Sequence, residues 1–207
     1  MNKSTIDNNT IVGAIGGGIY TSGNGQSAYI YQSTISNNVS GFGAGDGLTS
    51  INSNSSFFVV HSTVSVNTPN QIYSDSNVFI VSSTIVGNDS FPVMYLFSMD
   101  GELFARNSVV SSANGTIATV CDFEFPTTNL GPIYNTETNW FQDTSCTGTA
   151  SGDPQLGPLQ NNGGSTLSHK PMKDSELIDA GEDNIQFPVF TSLTTGFDDQ
   201  VLIDQRG

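Results

Sequence analysis

SAYIYQSTISNN at 27–38 lines up without a gap over SFFVVHSTVSVN at 56–67, NVFIVSSTIVGN at 77–88 and GELFARNSVV at 101–110. A truncated copy, NKSTIDNN, stands at 2–9. The Ser-Thr-Ile/Val unit begins at Ser4, Ser33, Ser62 and Ser83, and recurs as Asn-Ser-Val at Asn107, so the copies step by 29, 29, 21 and 24 residues. Repetition at a period of this size is the mark of a solenoid, in which each repeat is too small to bury an apolar face alone and must stack on its neighbours. A second column, Ile19, Leu48, Ile72, Leu96 and Ile117, advances almost in step with the first. Two columns moving together mean coils whose strands keep register while corner loops vary in length.

Period-two alternation assigns side chains to strand faces. Tyr29, Phe58, Phe79 and Leu103 share one position. Ile35, Val64, Ile85 and Val109 share another, and both columns are expected to line a dry interior. Thr5, Thr34, Thr63 and Thr84 are expected to point outward. The residues that close the units, Asn9, Asn38, Asn67 and Asn88, belong at turns, where Asn tolerates left-handed backbone and stacked side chains can form hydrogen-bonded ladders. The fold class is therefore all-β, a right-handed parallel β-helix of roughly five to six coils, about 25–30 Å long at the usual strand spacing. An antiparallel sandwich is the rival, but it requires a strand every 8–12 residues or so and does not call for matching columns. The division expected is 1–120 for the regular coils, with 121–207 as last coil and C-terminal cap of the same domain.

Composition agrees. Charged residues are only 12% of the 207-residue chain, against roughly 25% in an average globular domain, so Ser, Thr, Asn and Gln must supply the wetted surface. The net charge of −14 repels nucleic acid and anionic membranes. No apolar run is long enough to enter a bilayer as a helix. Cys121 and Cys146 either pair, closing a loop of about 25 residues worth roughly 3 kcal/mol, or stand as two buried thiols.

Chemistry is thinly represented. A uronate lyase needs clustered cations and a base, and Lys3 and Arg106 are the only basic residues in the coils. A glycoside hydrolase needs two carboxylates roughly 5–9.5 Å apart. Asp198 and Asp199 are neighbours on opposite strand faces, while Asp75, Asp100 and Glu102 can approach at coil corners. His61 aligns with Gln32, Ser82 and Arg106 in an outward column, and His169 lies in the tail, with no Gly-x-Ser-x-Gly elbow around any serine. No catalytic set, transition-metal cluster or cofactor is expected, and calcium at corner carboxylates and carbonyls stays open without an identifiable loop motif. An ice-binding array fails because the residues two places on from the threonines include Asp7, Val86 and Val110. Asn-x-Ser/Thr acceptor sites stand at Asn2, Asn8, Asn38, Asn54, Asn88 and Asn114.

The C-terminal third carries a specific resemblance. GDPQLGPLQNNGGSTLSHKPMKDSELIDAGE at 152–182 and DQRG at 204–207 resemble the end of bacterial choice-of-anchor Q domain proteins, and the Ser-Thr-Ile units resemble polymorphic outer-membrane protein repeats. Glu176-Leu177 departs from the family's Pro-Ala, and 183–203 is longer and more apolar than expected. The resemblance implies a secreted, surface-attached β-helix and no catalytic residues. The function expected is structural or adhesive, extracellular or at the cell surface, with end-to-end self-association into a fibre as one form and a carbohydrate-binding or carbohydrate-cleaving module as the alternative. The fibre reading starts from Lys3-Ser4-Thr5-Ile6, which opens mid-strand; a chain cut from a longer precursor explains that equally well. A pairing of Asp179 with Arg206 would tie the tail to the last coil.

Overall fold

In the computed structural model, residues 1–23, 25–41, 45, 47–51, 55–88, 90–97, 102–113, 119–124, 134–135, 138–146 and 151–181 are described. Three parallel sheets run the length of the stack. Sheet I holds Ser27–Tyr31, Ser56–Val60, Asn77–Val81, Leu103–Arg106 and Tyr134–Asn135. Sheet II holds Thr5–Asp7, Thr34–Ser36, Thr63–Ser65, Thr84–Gly87, Val109–Ser112 and Trp140–Phe141. Sheet III holds Ile19–Ser22, Leu48–Ile51, Ile72–Ser74, Met94–Leu96 and Cys121–Phe123. The chain visits I, II and III in turn and then steps to the next coil, so every pairing within a sheet is parallel and between successive coils. This is a parallel β-helix.

Each corner has its own sequence rule. Between sheets I and II one residue adopts left-handed backbone in each of the first five coils: Lys3, Gln32, His61, Ser82 and Asn107, with φ of 46°, 45°, 47°, 45° and 51°. The next residue is the serine of the Ser-Thr-Ile unit. Ser33, Ser62, Ser83 and Ser108 each donate their hydroxyl to the carbonyl two residues back, at 2.7–2.8 Å. Each also accepts the backbone N–H of the serine one coil earlier, at 3.1–3.2 Å. The serine column is thus a ladder that satisfies buried backbone donors at a bend where the sheet bonds cannot reach.

The second corner, after sheet II, is held by asparagine. Asn9 Nδ2 donates to Asn38 Oδ1 at 2.8 Å, and Asn38 Nδ2 to Asn67 Oδ1 at 2.9 Å. The same oxygens accept the backbone N–H groups of Asn9 and Asn38. Gln71 ends the ladder: its Oε1 accepts both Asn67 N–H groups and its Nε2 donates to the Asn67 carbonyl. Asn88 leaves the column and donates instead to the Asn67 and Pro69 carbonyls. Glycine is required beside this ladder. A Cβ on Gly47 would lie 2.4 Å from the Gln71 carbonyl oxygen and 2.8 Å from Asn67 Nδ2.

The interior is built from Ile30, Val59, Ile80 and Ala105 of sheet I, Ile35, Val64, Ile85 and Val110 of sheet II, and Leu48, Ile72, Met94 and Cys121 of sheet III, all at most 2% exposed. At about 1.5–3 kcal/mol for each large side chain removed from water, this column is the main source of stability.

Several expected columns shift. Tyr29, Phe58 and Phe79 are not interior: they occupy the opposite face of sheet I from Ile30, Val59 and Ile80. The alternation read from Ile35 back to Tyr29 passes through Gln32, whose left-handed bend resets it. The fourth coil is also one residue out of the expected register. Phe104, not Leu103, pairs with Phe79; Leu103 pairs with Val78 and lies in the interior. Val109 accordingly falls opposite Thr84, and Val110 takes the interior place beside Ile85. On sheet III, Met94 and Cys121 stand where Leu96 and Ile117 were expected; Ile117 lies outside the described residues.

Asn67→Ala removes the acceptor for two Asn38 donors and leaves the Ile35 carbonyl without its side-chain donor. The expected loss is about 2–4 kcal/mol, read as a lower urea midpoint at unchanged slope. Asn9→Ala, on the exposed first coil, is expected to cost less.

Candidate functional site

Three lateral faces are available for function, and each is furnished differently. The outer face of sheet I carries a stack of rings at the coil spacing. Tyr29 on Phe58 and Phe58 on Phe79 lie 4.7 Å apart with interplanar angles of 4° and 3°, and Phe104 follows at 6.0 Å and 42°. Phe58 and Phe104 are buried. His61 lies edge-on to Tyr31 and is also buried, so it is not the surface residue expected. Its neighbour in the corner column is Asn107, not Arg106, for the register reason given above.

Sheet II turns the threonine column outward, but it is not bare. Thr34 and Thr63 are fully buried, Thr84 is half-buried, and only Thr5 is exposed. The cover is the segment 152–181. It folds as a hairpin whose arms meet at the antiparallel bridges Leu156–Pro171 and Gln160–Ser168, with a turn at Asn161–Gly163. It leaves the last coil where Trp140 Nε1 donates to the Gly152 carbonyl and reaches back to the second coil, where Thr34 donates to the Leu167 carbonyl. Within the described residues, the expected end cap is therefore a lateral strap. The hydroxyl-rich outer face of sheet II needs hydrogen-bond partners, and the strap supplies the Leu167 carbonyl to Thr34 and the His169 ring to Ser65. This covering also removes the flat hydroxyl array that ice binding would require. Ser175 pins the base of the hairpin by donating to the Pro154 carbonyl at 2.6 Å. Asp179 is exposed, and Arg206, its expected partner, lies outside the described residues.

One contact in the strap went unread in the sequence. His169 Nε2 lies 2.7 Å from Ser65 Oγ, and Nδ1 lies 2.7 Å from the Gly157 carbonyl. A carbonyl can only accept, so Nδ1 carries the proton and Nε2 accepts from the Ser65 hydroxyl. A serine, an imidazole and an orienting oxygen in this order make a nucleophile–base arrangement. Ser65, however, is 0% exposed, and an acyl donor has no approach to it. The arrangement ties the strap to the coil. Burial pushes the His169 pKa below its ordinary 6.5, with the bond to Gly157 acting against that shift.

Sheet III presents an aromatic and acidic strip. Tyr20, Thr49, Tyr73, Tyr95 and Asp122 are in one register. Tyr73 and Tyr95 stack at 5.3 Å and 6°, and Phe97 leans against both. Tyr95 is half-buried. Burial first, then the charges of Glu124 and Asp75, raise the Tyr73 pKa above 10.0; Tyr95 is raised by burial, Glu124 and Asp122, with a hydrogen bond to Glu124 in the same direction. Because the tyrosines spend one ring face on each other, neither offers both faces to a sugar.

Of the expected carboxylates, Asp100, Asp198 and Asp199 lie outside the described residues, and Asp75 holds the Ser76 hydroxyl at 2.7 Å. Among the described residues no group of three or more His, Cys, Asp or Glu is placed to hold a metal ion. Cys121 and Cys146 form a disulfide, Cα–Cα 5.0 Å, inside the apolar cluster of the last coil. Of the glycosylation acceptors, Asn2 and Asn8 are exposed, Asn54 and Asn114 lie outside the described residues, and Asn38 is withdrawn: it is 0% exposed and holds the ladder. Asn88 commits its amide nitrogen to two carbonyls.

No protein-family model matches the chain, and no curated protein or solved structure matches it.

Glu124→Gln is expected to lower the alkaline midpoint of the tyrosine titration, followed at 295 nm, because it removes a charge that opposes ionisation of both Tyr73 and Tyr95. An unchanged curve would show that Glu124 exerts no such effect. Replacing both cysteines by alanine is expected to cost about 3 kcal/mol, measured by urea denaturation.

Proposed function

We propose that this chain is a non-catalytic structural or adhesive β-helix, displayed at a cell surface or built into an extracellular fibre. The observation that carries the reading is how the polar side chains at the corners are used. Ser33, Ser62, Ser83, Asn38 and Asn67 hold coil to coil, an investment in a stiff lateral surface. The buried disulfide fits an oxidising compartment. The resemblance of 152–182 and 204–207 to choice-of-anchor Q proteins supports the same location.

End-to-end association fits the first coil. Ser4 and Asn9 occupy, on the coil of Thr5–Asp7, the positions from which Ser33 and Asn38 accept hydrogen bonds inside the stack. Ile6 is packed against the core yet only half-buried. A coil from a second copy, entering in the same register, would extend the stack at this coil by β-augmentation, and a head-to-tail contact of this kind propagates. The reading requires no cofactor.

A glycan-binding module is the second reading, favoured by the Tyr73–Tyr95–Phe97 group beside Asp122 and Glu124. Glycan-array binding lost in Tyr95→Ala would support it over the passive scaffold.

Light scattering of the purified chain over rising concentration tests the association. Mass is expected to grow with concentration and rods to appear by electron microscopy. Ile6→Lys is expected to abolish both while the main thermal transition persists. A wild-type chain that stays monomeric at high concentration contradicts the fibre form.

A further inference from the structure

We propose that the 152–181 hairpin is an acid-released cover over the hydroxyl face of sheet II, with His169 as its latch. This inference stands apart from the functional reading above, since it concerns one face of the coils and not their ends.

The geometry singles out His169. Its ring is the one strap side chain with both polar atoms committed across the fold, one to the coil and one to the opposite arm of the hairpin. Gly157, which accepts from Nδ1, is joined to the same stretch by its own N–H to the Lys170 carbonyl at 2.8 Å. The latch therefore fastens strap to coil and strap arm to strap arm in one place. Beside it the strap has a hydroxyl bond, Thr34 to Leu167, which does not titrate.

Protonation changes the bonding rather than only adding charge. The Gly157 bond survives, because Nδ1 is already the donor. At Nε2 the acceptor becomes a donor, and the Ser65 hydroxyl must turn its hydrogen away into a fully buried site. A positive charge also appears in a part-buried position. The strand that the ring bonds, Thr63–Ser65, and its two neighbours, Thr34–Ser36 and Thr84–Gly87, carry only hydroxyl and apolar side chains, apart from Gly87. On the strap, Lys170 is next in sequence and exposed, and Asp153 spends Oδ1 on the Gln155 N–H. On the coil, Asp7 holds Ser36 and Asn37. None of these charges contributes to the lowering of the His169 pKa, which burial causes.

The sign follows. A histidine whose pKa is lower when docked than when free binds fewer protons docked, so docking gains as pH rises. The latch is at full strength above the free value of 6.5 and weakens as pH falls from there through the docked value. Release would bare Thr34, Thr63 and Ser65, all now buried.

The test is hydrogen exchange on the intact chain at about pH 7.5 and about pH 5, corrected for the intrinsic pH dependence of exchange. Exchange of amides in 155–172 is expected to rise several-fold at the lower pH, while those of Thr63–Ser65 and Thr84–Gly87 keep their strand protection. His169→Gln is expected to remove the pH dependence. Should that variant misfold, an NMR titration of the wild-type His169 ring, matched against exchange of the same amides, keeps the question open to refutation. Equal protection at both pH values, a pH response that survives in His169→Gln, or a ring midpoint at or above 6.5 would each overturn the latch.

Discussion

Everything in this molecule depends on successive coils lying in register, so that like side chains sit directly above like. The apolar interior makes stacking favourable, but it does not by itself choose a register. The polar corners do. A bend between sheets leaves backbone donors and acceptors that the sheet ladders cannot reach, and an unpaired group there costs about 1–3 kcal/mol. Serine at one corner and asparagine at the other fill that need with side chains that bond both their own coil and the one before it. A slip of one residue would break both ladders at once. This is why the Ser-Thr-Ile unit and the closing Asn are the most regular features of the sequence, while the loops vary.

The same logic explains what was legible in the sequence. The fold class and the parallel stacking were readable because Ser33, Ser62 and Ser83 repeat without gaps, as do Ile35, Val64 and Ile85. The sheet III column at Ile19, Leu48 and Ile72 was readable for the same reason. The inner face of sheet I was misread, since Gln32, His61 and Ser82 adopt left-handed backbone, which is uncommon outside Gly and is not announced by the Gln and Ser of this column. Aromatics at Tyr29, Phe58 and Phe79 reinforced the error, because a column of rings is as satisfying outside, stacked at 4.7 Å, as it would be inside. The fourth coil slipped because Asn107-Ser108-Val109 contains two residues able to imitate the serine position.

The candidate sites were less legible. Cys121 and Cys146 were visible as a pair. The strap was not, because a motif such as Asn-Gly-Gly announces a turn and says nothing of what the turn lies against. Ser65 and His169 are 104 residues apart, and only the three-dimensional course of the hairpin brings them together. The described residues form a solenoid with ladder-bound corners, one covered face and one strip of tyrosines and acids.

In-register stacking is tested most directly by spin labels on neighbouring coils. Ser27 and Ser56 are cross-coil partners at the start of sheet I, and Asn77 follows Ser56 one coil further on. With the native cysteines held in their disulfide, labels on Ser27→Cys and Ser56→Cys should lie about one strand spacing apart, roughly 5 Å between Cα atoms, and labels on Ser27→Cys and Asn77→Cys about twice that. Strong dipolar and exchange broadening in the first pair, with weaker broadening in the second, is the expected result. Sharp, non-interacting spectra from the first pair would contradict the parallel β-helix and everything built on it.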